Sequence, residues 1–292
     1  MIKATKYDVE MWLKTVATGE FHYREVLDGQ IDSSSFGNLR KVMHELCKGD
    51  EPLCEPVGRR DGYYRVIDNG VLPIDFANVK GKQDFPIVLP FELRKHVFIY
   101  PDTVTVVAGS KSSGKTGFIY RTVEMNRKNI NTILLSNLEG GAVQMYDRFM
   151  AMGIDLAKEP KFIYHVTDNF HDHIKLPNTI YAIDYVDAPE GVDFYIIGAA
   201  ISKVDKKLKG LNSVAVIGLQ KPMSRDTAFG GEQTLKVASL YIALDNSKLK
   251  IVDAKVPANK TIHPKNMQWT FHYDDEGTNF VNIERFYGGS DY

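Results

Sequence analysis

A segment of eight residues, GSKSSGKT at 109–116, has the residue types and spacing to hold a phosphate chain. It matches G-x-x-x-x-G-K-[ST], the phosphate-binding loop or Walker A motif. Glycines let the main chain curl around a β-phosphate, Lys115 brings charge to the β- and γ-oxygens, and the Thr116 hydroxyl reaches Mg²⁺. The segment therefore predicts a site for a nucleoside triphosphate with Mg²⁺. The predicted nucleotide-binding residues are Gly109, Ser110, Lys111, Ser112, Ser113, Gly114, Lys115 and Thr116.

A Mg²⁺ ion near Thr116 needs a carboxylate from a second strand. The run YAIDY places Asp184 at the end of an apolar strand, and Asp187 is a shifted alternative. The apolar run 194–197 ends in a glycine and offers no carboxylate. An aspartate at a strand end can also cap a turn. We predict that Asp184 and Thr116 together hold the metal.

Hydrolysis requires a residue that orients water at the γ-phosphate. Glu139 follows the predicted strand 132–135 and directly precedes a helix, at the strand end where α/β sheets form their sites. A glutamate in that position can equally interact with the helix dipole. The residues leave both roles open. In the catalytic alternative, Glu139 and Lys115 are the catalytic residues.

The elements that must position these side chains alternate along the chain from residue 103 onward. Apolar runs at 103–107, 132–136, 179–184 and 213–219 are separated by segments with helical patterning, which is typical of a parallel sheet covered by helices on both faces. The tail at 267–286 alternates as an antiparallel hairpin. We therefore predict a mainly parallel α/β domain over residues 91–292.

Residues 1–70 have a different pattern, with three short helical segments followed by a hairpin around a turn at 58–62. This is the element order of a small α+β winged helix-turn-helix domain. In a DNA complex the third helix and the hairpin tip would supply the basic contacts. Binding of a protein partner is the alternative, because the segment has 10 Lys+Arg against 12 Asp+Glu. The predicted DNA-binding residues are Arg40, Lys41, His44, Arg59 and Arg60.

Composition limits the remaining possibilities. The 292 residues carry a net charge of −1, so no strong overall field attracts nucleic acid or a membrane surface. The two cysteines are too few for a disulfide framework, and the N-terminus lacks the apolar run of a signal peptide. We expect a cytoplasmic protein without membrane contact. Residues 71–90, which contain Pro and Gly with little periodicity, are predicted to be a linker or a strap over the second domain.

The order of motifs over residues 88–256 resembles the ATPase core of RecA-like proteins and DnaB-type hexameric helicases. The motifs are GSKSSGKT, SNLE, YAIDY, GLQKP and a Gly-Gly loop. The resemblance implies that ATP is the nucleotide, that Glu139 activates water, that Asp184 serves Mg²⁺ and that Gln220 senses the γ-phosphate. It also implies a ring or filament in which the loop 221–233, with Lys221 and Arg225, contacts single-stranded DNA.

The chain departs from this family at three places. The segment 186–193 is short and acidic where helicases have a basic or long loop. Lys255, where these helicases present a basic finger to the neighbouring subunit's ATP, lacks an arginine two positions later, so Arg148 and Arg225 are alternatives. The winged helix stands where helicases have a helical domain, which suggests an accessory ATPase of a phage or mobile element.

Two functions follow as hypotheses. The first is a DNA-associated ATPase in replication or recombination. The second is a DNA-binding regulator or adaptor that uses nucleotide occupancy as a switch. Small-molecule kinase activity lacks support, because no arginine cluster resembling a lid stands near a helical hairpin.

Overall fold

Two units make up the chain, residues 1–79 and 80–292. The computed structural model describes residues 4–17, 19–29, 31–48, 52–58, 61–67, 83–186, 195–274 and 278–287. Among the helices of these ranges, none has the length and apolarity needed to cross a membrane.

The first unit combines two helices with a three-stranded antiparallel sheet. Its elements are α1 (Lys6–Thr15), β1 (Glu20–His22), 3₁₀ turns at Tyr23–Gly29 and Ser33–Ser35, α2 (Phe36–Leu46), β2 (Cys54–Pro56) and β3 (Tyr63–Val66). The sheet order is β1-β3-β2. Thr5 caps α1 by accepting from the Asp8 amide. The predicted hairpin is present, whereas the short strand β1 was not predicted.

The core of the first unit forms where the apolar faces of its helices meet the sheet. Trp12 of α1 packs edge-on against Phe21 of β1, with ring centroids 5.2 Å apart. Leu39 and Met43, one turn apart on α2, are fully enclosed in the same cluster. The helical spacing seen in the sequence therefore orients α2 with its polar side outward.

The second unit is built on a nine-stranded sheet. Its strands are β4 (Thr103–Gly109), β5 (Asn131–Ser136), β6 (Ile163–His165), β7 (Thr179–Val186), β8 (Val214–Gln220), β9 (Leu240–Asp245), β10 (Lys248–Ala254), β11 (Gln268–Tyr273) and β12 (Phe280–Phe286). Its helices are α3 (Lys115–Asn126), α4 (Gly141–Ala151), α5 (Tyr195–Leu208) and α6 (Glu232–Val237).

The strand order is β12-β11-β10-β9-β4-β8-β7-β5-β6. The six strands from β9 to β6 are parallel, and β10, β11 and β12 continue the sheet in antiparallel fashion. Phe118 of α3 and Phe149 of α4 lie in one apolar cluster, while Ile201 of α5 lies in a second. Successive residues of β4 point to opposite faces of the sheet: Val107 lies in the first cluster and Val106 in the second. Helices therefore cover both faces. This confirms the predicted α/β fold.

The segment preceding β4 packs on this core. Phe85, Ile87 and Leu89 are buried, and the Asn126 side chain of α3 exchanges two hydrogen bonds with the Val88 backbone at 2.8 and 2.7 Å. Residues 83–90 therefore pack on the second unit as a strap, one of the two alternatives that the sequence left open. Residues 68–82 lie outside the described residues.

Candidate nucleotide-binding site

The predicted phosphate-binding loop connects the end of β4 to the start of α3. Ser112 and Gly114 have positive φ values of 61° and 93°, which turns successive amides toward one side of the loop. In the described part of the chain, the amides of Lys111, Ser112 and Gly114 have no hydrogen-bond acceptor. The buried Ser113 hydroxyl likewise has no partner there. The loop thus offers several donors to an anion at the helix N-terminus.

The two glycines of the motif are required by space. A Cβ at Gly109 would lie 2.4 Å from Oγ of Ser113, inside the loop itself. A Cβ at Gly114 would lie 1.3 Å from the Tyr273 hydroxyl oxygen and would stand on a left-handed backbone. A side chain at either position would therefore force Ser113 or Tyr273 to move, and at Gly114 it would also strain the backbone.

Lys115 points to the end of β8. Its side chain is buried, and Nζ donates to Oε1 of Gln220 at 3.2 Å. The same Nζ lies 4.0 Å from the ring centroid of Tyr185. Because β4 and β8 pair with Gly109 opposite Gln220, the last residue of β8 stands beside the start of the loop. The structure brings these two predicted nucleotide-binding residues together.

Thr116 and Asp184 also meet. The Thr116 hydroxyl donates to Oδ1 of Asp184 at 3.1 Å, and Asp184 is only 5% exposed. Burial raises the pKa of Asp184 to about 6, while the charge of Lys115 opposes the shift. Strand β7 continues to Val186, so Asp184 lies within the strand and not at its end as predicted.

The donor set of this pair fits Mg²⁺. A hydroxyl and a carboxylate supply two oxygen ligands, and Mg²⁺ prefers few protein oxygens completed by water and phosphate. Asp184 is a buried carboxylate, and a bound cation would stabilise its charged form, which burial destabilises. The alternative residue Asp187 lies outside the described residues.

Glu139 lines the same cavity, which has a volume of about 590 Å³. Strand β5 ends at Ser136, opposite Asp184 of β7, and Glu139 follows three residues later. The turn is held by the Leu138 amide donating to Ser136 Oγ at 3.1 Å and the Glu139 amide donating to Asn137 Oδ1 at 3.2 Å. The Glu139 side chain is exposed, so a water molecule could reach it.

Other cavity residues were not predicted from the sequence. Tyr273, the last residue of β11, donates its hydroxyl hydrogen to the Ser113 carbonyl at 2.6 Å. Asp274 follows it into the cavity wall, and Gln144 and Arg148 enter from α4. The sequence indicates Arg148 only as an alternative to Lys255 for the finger that reaches a neighbouring subunit. The tail pattern indicated a hairpin but carried no signal for which of its residues reaches the loop.

The structure corrects the role predicted for Lys221. Its side chain is fully enclosed, its Nζ lies 2.7 Å from Oδ1 of Asp245 and it donates to the Arg225 carbonyl at 2.9 Å. An enclosed, paired ammonium cannot contact a DNA strand. Arg225 is exposed in the same loop. The loop 221–233, predicted to contact DNA, also contains the start of α6.

Lys255 follows the last residue of β10 and is exposed. Its Nζ lies 3.4 Å and 3.5 Å from the carbonyl oxygens of Lys236 and Val237, at the end of α6. These contacts leave the amine at the surface of the second unit. It is not among the residues that line the cavity of its own chain.

The basic residues predicted on the third helix of the first unit are exposed on α2. Arg40, Lys41 and His44 all face outward. The Arg40 guanidinium forms an ion pair with Asp61 and stands over the Tyr23 ring, 5.4 Å from its centroid. Arg59 and Arg60 lie outside the described residues.

Comparison with known proteins gives a match in structure. No protein-family model matches the chain, and no curated protein matches it in sequence. A solved KaiC-like protein of the hyperthermophilic archaeon Pyrococcus horikoshii is similar with a TM-score of 0.50 and 15% identity. The match covers 70% of this chain and 98% of that one. At this identity the similarity shows the fold alone: the chain contains a RecA-like α/β core.

Proposed function

We propose that the second unit binds and hydrolyses Mg-ATP. The observation that carries the proposal is the meeting of two pairs at one cavity, Lys115 with Gln220 and Thr116 with Asp184. The loop amides that have no acceptor among the described residues lie beside the same cavity, at the N-terminus of α3. This is an arrangement for a polyanion with a divalent cation.

Each residue has a distinct role in the attack of water on the γ-phosphate. The loop amides and Lys115 hold the phosphate oxygens and stabilise negative charge in the transition state. Thr116 and Asp184 hold Mg²⁺, which would offset charge on the β- and γ-phosphates. Glu139 orients the attacking water, and Gln220 reports phosphate occupancy through its bond to Lys115.

Steady-state hydrolysis of ATP tests this proposal. Lys115→Ala should abolish nucleotide binding, and Glu139→Gln should keep binding while lowering turnover by about 10²- to 10⁴-fold. Lys128→Ala, an exposed lysine on the same unit, is the matched control. GTP, CTP and UTP assayed in parallel give the nucleotide preference. Unchanged nucleotide affinity in the Lys115→Ala protein would contradict the proposal.

We propose further that the first unit is a winged helix that binds DNA, in replication or recombination of a phage or mobile element. Its support is the element order helix, strand, 3₁₀ turns, helix, hairpin with a three-stranded antiparallel sheet. A winged helix inserts one helix into the major groove, and in such a complex the exposed cations of α2 would contact DNA.

Binding of the full chain to labelled duplex and single-stranded DNA, over a range of salt, tests this second proposal. Lys41→Ala should lower affinity and reduce the salt slope by about one, as expected for one lost phosphate contact. Lys14→Ala, an exposed lysine of α1 paired with Glu10, is the control. Equal affinity of both variants and the parent would contradict DNA binding through α2 and favour a protein partner.

Self-association into a ring or filament belongs to the same proposal. Its support is an apolar stripe on α4, formed by Val143, Tyr146 and Met150, which are 75%, 41% and 41% exposed. In this assembly Lys255 serves the neighbouring subunit's ATP. Light scattering with and without ATP should show an oligomer that Val143→Glu disrupts, and Lys255→Ala should lower turnover without changing assembly. A monomer under all conditions would contradict it.

A nucleotide-dependent switch is the second candidate. The observation that favours it is the enclosure of Lys221, which removes one of the two cations predicted to contact DNA after β8. Tight ATP binding with negligible turnover, and with Glu139→Gln unchanged, would select the switch over the ATPase.

A further inference from the structure

Arg148 brings a positive charge to the wall of the nucleotide cavity. It stands in the last turn of α4, half-buried, and lines the cavity together with the phosphate-binding loop. In the ranges that the structure describes, its guanidinium makes no hydrogen bond and no ion pair. Five N–H donors are therefore available at the cavity wall.

The base of this arginine is fixed by the packing of α4. Met145 and Phe149, on the sheet-facing side of the helix, are buried, and the Phe149 ring stacks on Tyr120 of α3 with centroids 4.8 Å apart. Gln144, one turn before Arg148, lines the same cavity. The helix thus presents a continuous polar edge to the cavity, and Arg148 extends from a rigid support.

The charged side chains of the cavity wall show what Arg148 contributes. Six charged side chains line it, three cations and three carboxylates: Lys111, Lys115, Arg148, Glu139, Asp184 and Asp274. Without Arg148 the charged side chains of the wall would carry a net charge of −1 before Mg²⁺ binds. The positive charge of Arg148 also lowers the pKa values of Asp184, Tyr120 and Tyr273, all of which are raised by burial.

We propose that Arg148 donates to the terminal phosphate of the nucleotide bound by its own chain. The inference rests on the proposed nucleotide site and deepens it, because it assigns the γ-phosphate contact to a residue of the same chain. A guanidinium can donate two parallel hydrogen bonds to phosphate oxygens, which a lysine cannot. Arg148 therefore distinguishes ATP from ADP and stabilises charge as the γ-phosphate leaves.

The affinities for ATP and ADP, measured by titration calorimetry, test this contact independently of turnover. Arg148→Met keeps the apolar stem and should weaken ATP binding by about tenfold to a hundredfold while changing ADP binding little. Arg148→Lys should recover part of the ATP affinity. Arg121→Met is the control, since Arg121 pairs with Glu124 on α3 and lies outside this cavity. An unchanged ratio of ATP to ADP affinity in both Arg148 variants would overturn the proposal.

Mixing variants separates action within the chain from action on a neighbour. The Lys115→Ala chain keeps Arg148 but binds no nucleotide of its own. If the contact is internal, the Arg148 of this chain does not reach the nucleotide of an Arg148→Met chain. ATP affinity and turnover of the mixture should therefore equal those of the Arg148→Met chain alone. Recovery in the mixture would overturn the assignment to the same chain.

The outcomes also separate this inference from the proposed function. Absence of ATP binding in the parent protein would refute the nucleotide site itself, and with it the role of Arg148. ATP binding in the parent with unaltered nucleotide preference in Arg148→Met refutes Arg148 alone. Thermal unfolding and the Arg148→Lys protein show whether a loss of binding reflects misfolding, since a folded variant keeps its ADP affinity.

Discussion

Nζ of Lys221 lies 2.7 Å from Oδ1 of Asp245, and the lysine side chain is wholly enclosed. Lys221 directly follows β8 and Asp245 ends β9, and these strands lie on either side of β4. Asp245 also accepts from the Ser110 hydroxyl at 3.4 Å, and Lys221 donates to the Arg225 carbonyl. This ion pair therefore connects the start of the phosphate-binding loop to the segment that follows β8.

Breaking this ion pair should destabilise the second unit. Lys221→Met leaves Asp245, which is 41% exposed and can hydrate, so we expect a loss of about 1–3 kcal/mol, below the usual cost for a fully buried pair. Asp245→Asn leaves an enclosed ammonium without its counter-charge and should cost more. Urea unfolding monitored by circular dichroism measures both.

Lys203→Met, at an exposed lysine of α5, is the control for the loss of a positive charge. The ion pair would lose its assigned role if Lys221→Met unfolded like the parent. The original prediction of a DNA contact would return if that variant lost DNA affinity at unchanged stability.

Gly114 and Tyr273 should show strong energetic coupling. Gly114→Ala places a methyl group on the Tyr273 hydroxyl and on a backbone with φ of 93°, so it should destabilise the fold and abolish nucleotide binding. Tyr273→Ala removes the obstruction, which leaves the left-handed backbone cost of about 1–2 kcal/mol. The double variant should therefore be more stable than additive effects predict, as measured in a double-mutant cycle by urea unfolding.

Tyr273→Phe removes the hydrogen bond to the Ser113 carbonyl and should lower the free energy of unfolding by about 1 kcal/mol. Tyr146→Phe, at an exposed tyrosine of α4, is the control. Additive behaviour of Gly114→Ala and Tyr273→Ala would show that the two positions do not contact one another in solution.

The sequence located those parts of the site that depend on strand ends. Asp184 could be predicted because a strongly apolar run precedes it, whereas Gln220 was implied by the resemblance to RecA-like proteins. Parallel strands bring the carboxyl ends of β7 and β8 to one edge of the sheet. Asp184 lies beside Thr116 as expected, although β7 extends two residues beyond it.

The remaining contacts depend on partners distant in the chain. Lys221 was assigned to DNA on the resemblance of its loop to that of the helicases. Its pairing with Asp245 follows from the positions of β8 and β9 on either side of β4, which no local pattern encodes. Tyr273 reaches Ser113 across 160 residues. The strand β1 has three residues, too few to show alternation.

Asp61 should reduce the affinity of the first unit for DNA. It forms an ion pair with Arg40, and Asp61 raises the pKa of that guanidinium through a hydrogen bond and its charge. Asp61→Asn would release Arg40 and remove a negative charge beside α2. We expect severalfold tighter binding to duplex DNA at low salt, measured by fluorescence anisotropy, with a steeper salt dependence.

Asp172→Asn, at an exposed aspartate of the second unit, controls for the change in net charge. Weaker or unchanged DNA binding by the Asp61→Asn protein would exclude Arg40 from the DNA interface.

Titration of Asp184 should make the stability of the metal-free protein fall between about pH 4 and pH 6. Burial raises its pKa from 3.8 to about 6, so in this range the folded state binds more protons than the unfolded state, and the free energy of unfolding decreases as pH rises. The loss of stability approaches about 3 kcal/mol above pH 6.

Asp184→Asn does not titrate, so its stability relative to the parent should increase over the same range in EDTA. Urea unfolding at pH 4.5, 5.5 and 7.5 measures the difference, and a value that is constant with pH would contradict the shifted pKa. In EDTA at pH 7.5 the Asp184→Asn protein should be more stable than the parent. With Mg-ATP present the parent should be the more stable of the two, because it gains binding energy that the variant lacks.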